Sequence, residues 1–484
     1  MAREHQDHVR TAGGKGGWLA VAVAGLVSAC SLEPRYVVPE PPVAAQWPIP
    51  PETAADAPGG DIGWRDFFAD PHLQALIAQA LVNNRDLRVA VLNVAVAKAQ
   101  YGIQDAARLP AVDAGAGLTR QRLASVQSGS TDASVTQQFQ AGLGISAFEL
   151  DLFGRVRSLS KAALEQYFAQ EATRRGAQLS LIAELAEAYL ALVFDRQSLQ
   201  LAADTLKNQE RSLELTRHRF EKGAASGLDV AQASTTVDSA RGDMARFEGE
   251  VAKDVDALTL LVGAPIDADL LAPATDAATA GLRALPPGLP SAVLLRRPDV
   301  QAAEHELRAA NADIGAARAA FFPSITLTAA GGSASDKLAN LFSAGTGYWT
   351  LAPQITLPIF DGGRLQAGLD ASMANRDIAV ARYEKAIQSA FRDVADELAS
   401  ARSLARQREA AATRVDDSTR AHDLSVHRYE SGRDSYFVVL DSERSSYAAR
   451  QALIDIARAE QINRVDLYKS LGGGWLEHAP GQGS

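Results

Sequence analysis

His427-Arg428-Tyr429-Glu430-Ser431-Gly432-Arg433-Asp434-Ser435-Tyr436-Phe437-Val438-Val439-Leu440-Asp441-Ser442-Glu443-Arg444 carries the architecture of this chain, because much of it occurs twice. At an offset of 209, from His427 back to His218, the chain reads His218-Arg219-Phe220-Glu221-Lys222-Gly223, followed by Ser226 and Val230. His, Arg, Glu, Gly, Ser and Val recur in register, with Phe220 in place of Tyr429. In both copies a glycine separates two runs of helical period, so each reads as helix, turn, helix. A period of about 200 residues is too long for a solenoid and marks a duplicated, domain-sized unit.

Working outward, the helices that meet at these turns are very long. The first runs from about Arg155 to Glu221, with Leu179, Ile182, Leu185, Tyr189 and Val193 spaced by three or four. The second runs from about Arg364 to Glu430, with Tyr383, Ile387, Val394 and Leu398 in the same rhythm. At 1.5 Å per residue each extends about 100 Å, which requires helical neighbours along its length, as in a bundle or a helical cylinder. Return helices run from about Leu228 to Val262 and from about Phe437 to Leu471, and residues 155–263 align with the second half without insertion.

Ahead of each long helix the period changes to two. Val112, Ala114, Ala116 and Leu118 alternate with small or polar residues, as do Phe139, Ala141, Leu143, Ile145 and Ala147. In the second half Ile325, Leu327 and Ala329 do the same, then Trp349, Leu351, Ile355 and Leu357. The expected strands are about 111–123, 136–150, 323–333 and 348–360, one hairpin per repeat. Four strands cannot close a barrel, and an open sheet edge cannot lie in lipid with its backbone groups unsatisfied. Either the hairpins form a soluble sandwich or several chains share one barrel; two chains supply eight strands and three supply twelve.

The N-terminus reads as an export signal, residues 1–29. Arg3, Arg10 and Lys15 precede an uncharged run, Trp18 to Ala29, too short to span a bilayer. The chain's one cysteine, Cys30, closes Val27-Ser28-Ala29-Cys30, which resembles the lipobox of bacterial lipoproteins, in which that cysteine receives a covalent lipid. Ser31 after it, rather than Asp, fits sorting to the outer membrane by the rule for such lipoproteins. With one cysteine there is no intrachain disulfide and no thiolate metal site. Residues 30–62, with Pro39-Glu40-Pro41-Pro42 and Pro48-Ile49-Pro50-Pro51, make an extended tether. The first repeat then covers 63–263, a linker 264–290, the second repeat 291–475 and a polar tail 476–484. Aromatic content of 6% with abundant alanine suits closely packed helices rather than a thick globular core, and a net charge of -10 argues against a nucleic-acid partner.

Leu285-Pro286-Pro287-Gly288-Leu289-Pro290-Ser291, Leu294-Leu295-Arg296-Arg297-Pro298-Asp299-Val300, Ala303-Glu304, Ala309-Ala310-Asn311-Ala312, Ile314-Gly315 and Phe321-Phe322-Pro323 occur in that order. Together they resemble the central signature of outer-membrane efflux lipoproteins, the TolC-like, NodT-type outer-membrane factors. Phe148-Glu149-Leu150-Asp151-Leu152-Phe153-Gly154-Arg155 and Pro358-Ile359-Phe360-Asp361-Gly362-Gly363-Arg364 resemble that family's barrel-to-helix junctions. The resemblance implies a mainly α protein with a membrane β-barrel. Three copies share twelve strands in one barrel, continuous with a helical periplasmic tunnel. It implies an outer-membrane location in a Gram-negative bacterium, with a periplasmic adaptor (membrane-fusion) protein and a proton-driven inner-membrane transporter as partners. It implies no cofactor beyond the lipid on Cys30.

Motifs for catalysis are missing. No His-Glu-x-x-His occurs, His422 and His427 are five apart rather than four, and neither a phosphate-binding Gly-Lys-Ser/Thr loop nor a Gly-x-Ser-x-Gly elbow appears. The expected function is a passive exit duct for small molecules. A duct for a protein-secreting system and a pore-free structural coiled-coil lipoprotein are the alternatives. Met1, Met244 and Met373 are the only methionines, too few for a thioether relay of soft metals, which favours organic cargo.

Within the second tip, Tyr429, Asp441 and Arg444 match positions that form the periplasmic constriction in this family, and Phe437 matches an apolar ring position. Phe437, Asp441 and Arg444 are spaced by four and three, hence on one helical face. Their mates at the repeat offset are Leu228, Gln232 and Thr235, so the charged pair exists in one copy only. Asp434, placed with the gate group, and Val438 stand where some relatives carry Arg and a second Asp, so their latch does not transfer intact. Gly223, Ser226, Gly227, Gly432, Arg433 and Ser435 are the expected adaptor-docking tips.

Overall fold

The structure is a computed structural model in which residues 32–47, 62–123, 134–271, 282 and 291–478 are described. The export signal and Cys30 lie outside the described residues, as do residues 48–61 of the tether and most of the 264–290 linker. The chain divides into two compact units, one built on residues 95–169 and 303–382 with the segment before Glu40, the other on the remainder.

The first unit holds a four-stranded antiparallel sheet, β1 (Asp113–Leu123), β2 (Ser134–Glu149), β3 (Ser324–Ser335) and β4 (Gly347–Thr356), in the order β1-β2-β3-β4. Each repeat contributes one hairpin, and β2 joins β3 across the repeats. Their closest approach is made by glycines. Gly142 pairs with Gly332, and a Cβ on Gly332 would overlap the Ala141 carbonyl, so any side chain there would force the strands apart. The expected alternation through Ala147 breaks. Between Ile145 and Phe148 the register shifts, Ala147 takes φ +53°, and its N–H donates to Thr328 Oγ1 at 3.3 Å. A bulge at this point turns the strand end into the junction, where Arg155 pairs with Glu149 and the Asp151 carboxylate accepts from the Arg157 amide at 2.8 Å.

The segment carrying the central signature folds, from Pro298 to Ala319, as a helix whose Asn311 is buried. Its amide donates to Glu33 Oε1 at 3.1 Å and to the Pro34 carbonyl at 2.9 Å, while Lys161 pairs with the same Glu33 at 2.8 Å. The segment from Leu32 is thereby strapped to this unit.

The second unit is helical. α1 (Pro71–Asn83) starts at an N-cap: Asp70 accepts from the amides of His72 and Leu73 with Pro71 at the first helical position. The other Asp70 oxygen accepts from Tyr189 Oη at 2.8 Å, inside the core. α2 (Arg85–Ala106) comes next, then α3 (Arg155–Glu221) and α4 (Gly227–Val262). The signature helix, α5 (Pro298–Ala319), precedes β3, and α6 (Arg364–Glu430) and α7 (Tyr436–Ser470) complete the chain. The long helices end where their periodicity places them, and each return helix begins one residue earlier than expected.

The main core joins Phe67, Phe68, Leu73, Leu76 and Ile77 to Leu185, Tyr189 and Leu192 of α3, Leu258 and Val262 of α4, and Val465 and Tyr468 of α7. Each fully buried Leu or Phe there contributes roughly 1.5–3 kcal/mol. Tyr468 stacks on Phe67 with centroids 3.9 Å apart and donates to the Ile62 carbonyl at 2.7 Å. The amides of Trp64 and Arg65 donate to the carbonyls of Leu476 and Glu477. The start of the first repeat is therefore clasped by the end of the second.

Candidate functional site

The two tips share one backbone turn. Gly223 (φ +76°) and Gly432 (φ +72°) both sit in the left-handed region just past a helix end. Ala224 N–H reaches Arg219 O at 2.8 Å and Arg433 N–H reaches Arg428 O at 2.9 Å, the 6→1 closure that satisfies the last carbonyls. Glycine recurs at this position because a side chain is disfavoured at that φ.

Beyond the turn the two copies diverge. Ser226 and Asp229 form a complete capping box on α4, whereas Ser435 caps α7 with no side-chain hydrogen bond. At the offset of 209 the mate of Asp229 is Val438, so the second copy lacks the carboxylate. Asp434 instead pairs with Arg428 at 2.5 and 2.9 Å, and that guanidinium holds its carboxyl below the usual range. In this structure that pair braces the tip.

Of the predicted gate group, Phe437 and Asp441 share an exposed face of α7 with Arg444, whose guanidinium donates to Asp441 Oδ1 at 2.6 Å with the two side chains 80% and 51% exposed. A pair this open contributes about 0–1 kcal/mol to stability, so packing does not account for it. Tyr429 lies apart from this pair, tilted against Tyr436 at 5.3 Å with Arg219 over its ring at 5.0 Å.

Sequence reading missed Tyr436, which roots α7. It is buried with Val439 and Leu440 against Leu213, Ala233 and Val237, and its hydroxyl sits 2.5 Å from Ser212 Oγ. Burial pushes the phenol up, opposed by hydrogen bonds from Ser212 and Thr216. One signal was available: its mate in the first copy is Gly227, which cannot fill that hole.

Further along α7, carboxylates meet in excess of cations. Asp195 of α3 pairs with Arg458 at 3.2 Å, and Asp254 of α4 lies beside them against Asp195. Burial first, and Asp195 second, push Asp254 up to about 7. Glu187 is likewise pushed up to about 7 by burial and by Asp466. Among the described residues no group of three His, Cys, Asp or Glu is placed to hold a metal ion.

A four-stranded sheet with open outer edges, joined through paired junctions to doubled helical hairpins, defines a class. The chain belongs to the outer membrane efflux protein family, whose model matches residues 76–264 and again 289–473, once per repeat. Among its relatives is the toluene efflux pump outer membrane protein TtgC of Pseudomonas putida, 48% identical over 464 residues, with 95% of this chain and 96% of that protein aligned. Outer membrane protein OprJ of Pseudomonas aeruginosa is 42% identical over 458 residues, 95% of this chain and 96% of that one. Among solved structures, the open state of the Neisseria gonorrhoeae MtrE outer membrane channel superposes with a TM-score of 0.85 at 40% identity, covering 93% of this chain and all of that one.

Proposed function

We infer that this chain is the outer-membrane channel component of a bacterial efflux pump, a passive, non-catalytic duct that exports small toxic compounds. The sheet carries this reading. Among the described residues β1 and β4 are each paired on one side only, an arrangement incompatible with lipid until other copies pair with both edges. Three copies of four strands make a barrel of twelve. The helical hairpins then form a periplasmic tunnel, working with an adaptor protein and an inner-membrane transporter that supplies the energy.

The second tip is the proposed gate. In a trimer, three Asp441 carboxylates surround one axis, a ring that favours cations and is moderated by Arg444. Support comes from the exposed Phe437, Asp441 and Arg444 face, and from Leu228, Gln232 and Thr235 at the mate positions of the first repeat. Single-channel recording in a planar bilayer tests both levels. The wild-type protein should conduct, and Asp441→Ala with Arg444→Ala should raise conductance severalfold and weaken cation preference. Unchanged conductance and selectivity would sink the gate, and a protein that never conducts would sink the channel.

A further inference from the structure

Between α3, α4 and α7, behind the proposed gate face, lies a cavity of about 270 Å³. Three carboxylates line it, Asp243, Asp441 and Glu443, against the single cation Arg444, which is already committed to Asp441. Asp243 has Arg246 at 3.4 Å. Glu443 has no Arg or Lys partner among the described residues. Its carboxylate faces His422 and takes a hydrogen bond from the amide of the buried Gln209, whose Oε1 is in turn held by Thr236 Oγ1 at 2.7 Å. Burial pushes the Glu443 carboxyl up, opposed by His422 and by the hydrogen bond from Gln209.

The remaining walls are mixed: Phe437, Leu440, Tyr447 and Ala240 supply the apolar surface, and six threonine, glutamine and serine side chains of α3 and α4 the polar one. Phe437 and Tyr447 stand ten residues apart on α7, about 15 Å along the axis, with Leu440 and Ala240 between them. Tyr447 Oη is buried and faces the Asp243 carboxylate. A slot with aromatic rings on its α7 wall and a carboxylate that lacks an Arg or Lys partner matches one ligand chemistry: a flat aromatic surface bearing positive charge. Such a ligand gains cation–π contact with the rings and supplies the charge partner that the fold withholds from Glu443.

We propose that this cavity is a binding site for amphiphilic aromatic cations. Its place deepens the channel reading, on which its meaning for transport rests. Phe437, Asp441 and Arg444 form both the proposed gate face and one wall of the cavity. An occupant is wedged between the second hairpin and the first, and so sets the spacing between α7 and α4.

The test uses proflavine, a planar aromatic cation, titrated against the purified full-length protein in detergent and followed by fluorescence anisotropy. Saturable binding of one proflavine per chain is expected. It should weaken at least tenfold in Glu443→Gln and resist competition by anthracene sulfonate, an anion of similar shape. Equal affinity in the variant, equal competition by the anion, or no saturable binding overturns the proposal. If the variant fails to assemble, competition on the wild-type protein decides alone. Bilayer conductance of the same preparation separates the two readings: pores without proflavine binding refute the cavity site only, whereas proflavine binding without pores upholds the site and refutes the channel.

Discussion

Replacing Asp254 by Asn removes one acid from a place where two aspartates share one arginine. Asp195 holds Arg458, and Asp254, half-buried beside that pair, is pushed from its ordinary 3.8 up to about 7. A rise of that size corresponds to a ceiling of about 4 kcal/mol between the protonation states. Asp254 keeps substantial solvent contact, and screening reduces the figure to on the order of 1 kcal/mol per chain. The folded protein holds this proton more tightly than the unfolded chain, so the contribution is present in full below pH 3.8 and is lost as pH rises through about 7. Glu187, also held near 7 beside Asp466, acts in the same direction. The wild-type protein is therefore expected to resist heat better at pH 5.5 than at pH 8. Asp254→Asn, which mimics the protonated acid, should exceed wild type by roughly 1 kcal/mol per chain at pH 8 and by about half that figure at pH 5.5, where the unfolded chain has already lost the proton. Heat dissociation of the assembled protein, followed by gel mobility at the two pH values, reads the difference. A variant that tracks wild type at pH 8, or a wild-type midpoint equal at both values, refutes the reasoning.

The caps provide a matched comparison. Ser226→Ala breaks a complete capping box and should cost about 1 kcal/mol, whereas Ser435→Ala removes a side chain that makes no cap bond and should cost only a few tenths; equal losses in chemical denaturation would refute the asymmetry. If the tips dock an adaptor, photo-crosslinkers placed at Ser226 and Arg433 should capture the periplasmic adaptor in cells with an active pump, and an active pump without such crosslinks would count against these turns as the docking points.

The duplication was legible because it is a matter of identities at a fixed offset, and the long helices because their apolar spacing persists for dozens of residues. Asp70 caps α1 through its neighbours His72 and Leu73, a local arrangement beside Pro71. Its second bond, to Tyr189, joins positions 119 residues apart and leaves no local trace. The bulge at Ala147 escaped for a different reason: the apolar alternation runs straight through it, and only pairing with β3 shows the extra residue. At the tip, composition distinguished the copies by Asp441 and Arg444, while the assignment of Asp434 to Arg428 depended on a turn geometry that sets the two side chains together. The cavity at Glu443 is assembled from three helices, so no single stretch of sequence announces it.

The clasp at Tyr468 has a mechanical consequence. α7 is fixed near one end, where that ring is locked between Phe67 and the Ile62 carbonyl, and its first residue, Tyr436, lies 32 positions away. At the helical rise this is a lever arm of about 48 Å, so a tilt of about 5° at the fulcrum carries the tip about 4 Å. Such a swing asks almost nothing of the core around the fulcrum. Opening and closing can thus be a matter of leverage, with the resistance concentrated at the Tyr436 anchor and the deformation spread over nine turns of helix.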